Sequence, residues 1–101
     1  MVRIEQEGTS ICAYIYGEID HHTARTIREA IDSQVELRLP KTLILDFADV
    51  SFMDSSGIGL VMGRFKLMTS IGGEVKISNT TASIGRVMRL AGLERLAKIE
   101  E

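Results

Sequence analysis

A single cysteine, Cys12, in 101 residues leaves no partner for an intrachain disulfide and implies nothing about zinc. Its neighbours Ile11, Ala13, Tyr14 and Ile15 make it a small core hydrophobe. An excess of positive charge is also lacking. The formal net charge is -2, and Lys and Arg are scattered, with Arg86 and Arg89 the only notable pair in one helix. Nucleic acid normally requires a basic face, so it is not an expected partner. No apolar run approaches a membrane span. Glu5, Gln6 and Glu7 interrupt the N-terminus before a signal-peptide core can develop. The expectation is a cytoplasmic protein without membrane contact. Repeats, linkers and low-complexity tracts are missing too. What remains, 45% hydrophobic and 26% charged residues, is an ordinary globular composition, and one domain over residues 1–101 is expected.

The hydrophobic pattern alternates between two periods. Val2 to Glu7 reads as an edge strand, Gly8-Thr9-Ser10 as a turn, and Ser10 to Tyr16 as a strand inside the sheet, closed by Gly17 to Asp20. A helix follows with Ala24, Ile27, Ile31 and Val35 inward and Arg25, Arg28, Glu29 and Asp32 outward, and Pro40 prevents its continuation. Thr42 to Phe47 is a largely apolar run, which predicts a strand buried on both faces. A second helix spans about Ser55 to Thr69, with Ile58, Val61, Met62, Phe65 and Met68 on its core face, and Gly72-Gly73 ends it. Glu74 to Ser78 is a strand. Thr80 or Thr81 caps a third helix whose inner positions are Ile84, Val87, Met88 and Ala91. Gly92-Leu93 matches a left-handed cap with its hydrophobic contact, and Ala97 to Glu100 is a weak last strand. The order ββαβαβαβ predicts an α/β fold: a small mixed sheet with a layer of helices, mostly parallel after the first hairpin.

Chemistry concentrates at Asp54-Ser55-Ser56-Gly57, where the apolar strand gives way to a helix. Asp and Ser are strong N-cap residues, so this segment reads as a helix cap. It also places two hydroxyls among free N–H groups at the positive end of a helix dipole, a favourable place for a bound phosphate or a phosphorylated serine. Gly57-Ile58-Gly59-Leu60-Val61-Met62-Gly63 offers an alternative, a nucleotide-binding loop, but its spacing is one residue too long and no ribose-binding acid follows. Ser56, Leu60, Gly63 and Leu67 form a stripe beside the core face, equally compatible with internal packing and with a partner surface. Leu60 is placed at the edge of that face. His21 and His22 are adjacent and diverge, which disfavours a shared metal, and Asp20 is the expected cap of the helix they begin. No nucleophile elbow surrounds Ser55 or Ser56, so catalysis is not expected, nor is any cofactor.

Two segments carry a resemblance. Gly17-Glu18-Ile19-Asp20-His21-His22-Thr23-Ala24 and Ser51-Phe52-Met53-Asp54-Ser55-Ser56-Gly57-Ile58-Gly59 resemble bacterial anti-sigma factor antagonists of the STAS domain family, nearest the sporulation branch. Gly63-Arg64-Phe65-Lys66, Ile71-Gly72-Gly73-Glu74 and Leu90-Ala91-Gly92-Leu93 are similar to the same group in the same order. Members commonly carry another helix after the last strand, where this chain stops at Glu101. The resemblance implies a STAS-like fold and a binding module without catalysis. Its unphosphorylated form would bind an anti-sigma factor that is also a serine kinase, and so release a sigma factor. Phosphorylation of the serine after the motif's aspartate, here Ser55, would reverse this, and a PP2C-type phosphatase would restore it. The docking surface so implied comprises Asp20, His21, Asp54, Ser55, Ser56, Gly57 and Leu60. A scaffold subunit of a stress-signalling complex would share the same fold.

Overall fold

A computed structural model describes residues 1–101. Strands β1 (Val2–Glu7) and β2 (Ser10–Ile19) form an antiparallel hairpin, and helix α1 (His21–Arg38) leads to β3 (Thr42–Met53). Helix α2 (Ser55–Ser70), β4 (Glu74–Ser78), α3 (Ala82–Leu90), a 3-10 turn at Leu93–Arg95 and β5 (Lys98–Ile99) complete the chain. The sheet order is β1-β2-β3-β4-β5, with every pair after the hairpin parallel. Three parallel crossovers step the same way across the sheet. Such connections are right-handed, so all three helices lie on one face. The expected order of elements is the observed one.

The one-sided layer corrects the reading of β3. Leu43, Leu45 and Phe47 face the helices and are wholly buried, whereas Ile44 on the other face is only half-buried. Asp46 shares that outer face and is buried by its own hydrogen bonds, accepting from Asn79 Nδ2 at 2.7 Å and from the Ala48 N–H at 2.9 Å. Along β2, Ile11, Ala13 and Ile15 point to the core while Tyr16 is exposed. Apolar content on both faces therefore did not require two helical layers.

Helix α2 is rotated from its expected phase. Its buried positions are Gly57, Leu60, Val61, Arg64 and Met68, and Met62, expected inside, is 42% exposed. Ile58 and Phe65 are half-buried. The cause is Arg64, a charged residue at a core position, which hides the true stripe from an apolar periodicity. In α3 only Ile84 and Met88 of the expected inner set turn inward; Val87 and Ala91 are exposed, because this nine-residue helix packs chiefly against the 3-10 turn and leaves the rest of its surface uncovered. Thr81, not Thr80, caps it, its Oγ1 accepting from the Ile84 N–H at 3.1 Å.

The two central strands run on beyond their expected ends, and this positions the site. After Ser78, β4 no longer accompanies β3, but β2 does, through register shifts, to the pairs Glu18↔Phe52 and Ile19↔Met53. Adjacent strands lie roughly 4.8 Å apart. Helices α1 and α2 thus begin side by side at one end of the sheet.

Candidate functional site

Each of the two helices starts with an aspartate. Asp20 caps α1, its Oδ1 accepting from the N–H groups of His22 and Thr23, both at 2.9 Å. Thr23 returns the bond, its Oγ1 accepting from the Asp20 N–H at 2.9 Å, which completes a capping box. The same hydroxyl donates to the Glu18 carbonyl at 2.8 Å. The Thr23 N–H, seconded by that of His22, holds the Asp20 carboxyl below the usual carboxylate range against a smaller opposing effect of burial. Asp54 caps α2 with one bond, its Oδ1 accepting from the Ser56 N–H at 2.8 Å. The two starts are joined directly, because the Asp54 N–H donates to the Ile19 carbonyl at 3.1 Å.

Ser55 is the first residue of α2 and is exposed, and its hydroxyl has no partner in the chain. Ser56 is half-buried and serves the cap through its main chain, not its hydroxyl. Gly57 is buried, and a Cβ there would overlap the Met53 side chain, so this glycine is set by close packing of the helix start on β3. Gly57 to Gly63 is helix throughout, which removes the glycine loop that the nucleotide alternative requires. His21 and His22 are exposed in the first turn of α1, their rings edge to face at 4.8 Å between centroids. No group of three or more His, Cys, Asp or Glu is placed to hold a metal ion.

The structure brings Asp20, His21, Asp54, Ser55, Ser56 and Gly57 together at this end of the sheet. Leu60 departs from its expected place: it is 4% exposed and belongs to the core, lying under the seam between α1 and α2. A charge at position 60 would disturb packing before it disturbed any contact surface.

Above Leu60 the two helices part to leave a groove of about 390 Å³. Its α2 wall carries Ser56, Gly59 and Gly63, and its α1 wall His21, Arg25 and Arg28. At its base Arg64, 5% exposed, pairs with Asp32 of α1, Nε to Oδ1 at 2.7 Å and Nη2 to Oδ2 at 3.2 Å. Nη1 also donates to the Leu60 carbonyl at 3.3 Å. Burial pushes the Asp32 carboxyl up despite Arg64's charge, and burial likewise lowers the Arg64 guanidinium. Asp32 was expected to face outward. It is drawn in by Arg64, and the signal for that pair was an arginine at core spacing, four residues beyond Leu60 and before Met68.

Known proteins share this fold. The STAS domain model matches residues 1–101. The anti-sigma F factor antagonist of Paenibacillus polymyxa is 30% identical over 98 residues, covering 97% of this chain and 84% of that protein. The anti-sigma-B factor antagonist of Bacillus subtilis is 33% identical over 98 residues, 97% of this chain and 88% of that one. Among solved structures, the anti-sigma factor antagonist SpoIIAA in its unphosphorylated form superposes with a TM-score of 0.85 at 29% identity, over 98% of this chain and 87% of that chain. The Bacillus SpoIIAA in its phosphorylated form gives 0.77 at 29% identity, over 98% and 90%.

Proposed function

We propose that this chain, which belongs to the STAS domain family, is an anti-sigma factor antagonist switched by phosphorylation of Ser55. Unphosphorylated, it binds an anti-sigma factor that is also a serine kinase, and the sigma factor held by that kinase is released. The kinase phosphorylates Ser55 and the complex separates; a PP2C-type phosphatase restores the binding form. The chain is substrate and binding module, with no catalysis of its own. The observation that carries this reading is the free, exposed hydroxyl of Ser55 at the first position of α2, beside the capped start of α1.

The chemistry of the switch follows from that position. Phosphate adds about -1.5 to -2 charges at neutral pH. At a helix N-terminus the dipole favours it by about 0.3–1 kcal/mol, so the helix does not melt. The antagonism arises at the interface, where the phosphate joins Asp20 and Asp54 and must shed its hydration against a docked partner. An unpaired charge buried there costs several kcal/mol, equivalent to at least about a hundredfold in affinity.

The test compares the phosphorylated and unphosphorylated chain for binding to the serine-kinase anti-sigma factor of the same organism, alongside thermal unfolding of each. Expected are tight binding of the unphosphorylated form, a loss of at least about a hundredfold on phosphorylation, and two cooperative melts. A phosphorylated chain that binds equally well refutes the switch, and one that loses its cooperative melt shows that unfolding, not interface repulsion, is the mechanism.

A further inference from the structure

We infer that the groove between α1 and α2 receives an acidic segment of the kinase partner, read by Arg25 and Arg28 and admitted by the missing side chains of Gly59 and Gly63. The inference rests on the antagonist reading above and adds the chemistry of the partner's contacting segment. Nine residues line the groove, three of them arginines and one a histidine, with no carboxylate among them. The groove lining is thus basic, although the chain's net charge is -2. Arg64 is neutralised at the base by Asp32, and Arg25 pairs at its exposed edge with Glu29, Nε to Oε1 at 3.0 Å. Arg28 is exposed and has no ion pair in the chain, which leaves its charge available to a ligand.

The glycines supply the second, independent observation. Gly57 is fixed by Met53, but a Cβ built at Gly59 or Gly63 meets no atom within 4 Å. Both residues lie within α2, where glycine is among the poorest helix formers, so neither backbone geometry nor internal packing accounts for them. A side chain at either position would project into the groove, since both residues line it. Their hydrogens keep the channel open to something that is not part of this chain. Carboxylates of an acidic peptide fit what the walls offer: guanidinium donors that bind carboxylate bidentately, and glycines on the α2 wall that let a backbone approach.

The experiment measures affinity for the same kinase with four chains: unmutated, Ser55→Asp, Arg28→Glu and Gly63→Leu. Circular dichroism melts accompany each, and binding of the unmutated and Arg28→Glu chains is repeated across salt concentrations. Gly63→Leu fills the groove with a better helix former, and Arg28→Glu reverses its unpaired charge. The expected result is at least a tenfold loss for each groove variant with the melts retained, and a weaker salt dependence for Arg28→Glu. Groove variants that bind within twofold of the unmutated chain, while Ser55→Asp does not bind, overturn the groove and leave the switch standing. An Arg28→Glu loss matched by no loss in Gly63→Leu also overturns it, because the anion would then lie outside the channel. An unmutated chain that does not bind the kinase overturns both readings together.

Discussion

The two helix starts at the C-terminal end of the sheet use the same residue for different ends. At α1, Asp20 takes two N–H groups and Thr23 answers it, which closes the cap. At α2, Asp54 takes only the Ser56 N–H, and the position corresponding to Thr23 is Gly57, which has no side chain to answer. Nor could one be added simply, because a Cβ there overlaps Met53. The closed cap orders the surface; Ser55, the first residue after the half-open one, is exposed and its hydroxyl is unengaged. A substrate serine needs the second condition, and a docking surface needs the first beside it. The Asp54 N–H to Ile19 carbonyl bond joins the two starts, and the Arg64–Asp32 pair ties the two helices together further along their length.

Breaking that union should have the largest effect on stability. Arg64→Met leaves the Asp32 carboxylate beneath the seam without its partner, and losing one member of a buried pair costs about 3 kcal/mol. Asp32 keeps 26% of its side chain exposed, which places the effect at the low end of such losses. Urea unfolding of Arg64→Met, and of the same chain with Asp32→Leu added, checks this. The double variant should recover much of the loss, since an apolar pair can replace an ionic one. A single variant as stable as the unmutated chain would mean that the two helices are held by packing alone.

A smaller effect separates the caps themselves. Asp54→Ala removes the only side-chain cap of α2 and should lower stability by about 1 kcal/mol, with the rest of the first turn intact. Denaturant midpoints of the two proteins measure it. No change would show that water caps this helix equally well.

The smallest effect distinguishes Asp20 by pH. Its carboxyl is held below the usual range in the folded protein, so the folded state binds fewer protons than the unfolded one through that window. Its contribution is therefore present in full above the ordinary carboxylate pKa of about 3.9 and is lost as pH falls through the lowered value. Asp32, raised by burial, has the opposite sign and is common to both proteins compared. Thermal midpoints of Asp20→Asn should therefore fall less between about pH 6 and about pH 3 than those of the unmutated chain. Equal slopes would contradict the closed cap.

Much of this arrangement was legible in the residues. The element order followed from alternating periods, the start of α2 from Asp54, the end of α1 from Pro40, and the left-handed Gly92 from its position before Leu93. Three features were not. The phase of α2 was hidden because Arg64 occupies a core position, and its partner Asp32 lies 32 residues away on another helix, beyond any local pattern. The open outer face of the sheet was hidden because Ile44 and Cys12 are apolar whether or not helices cover them. The full length of β2 and β3 was hidden because Gly17 closes the first apolar pattern and the second ends at Phe47, and only mutual pairing carries both strands to the site. Ser55 is the converse case: its exposure and free hydroxyl follow from Asp54 capping the next residue, a relation contained in four consecutive letters.

Locating the phosphate tests most directly whether Ser55, free at the start of α2, is the switched residue. The chain, Ser55→Ala and Ser56→Ala are each incubated with the kinase and ATP, and tandem mass spectrometry assigns the modified residue. Phosphate is expected on Ser55 of the unmutated chain, none on Ser55→Ala, and retained phosphorylation of Ser56→Ala. Phosphate on Ser56, or undiminished incorporation into Ser55→Ala, would contradict it.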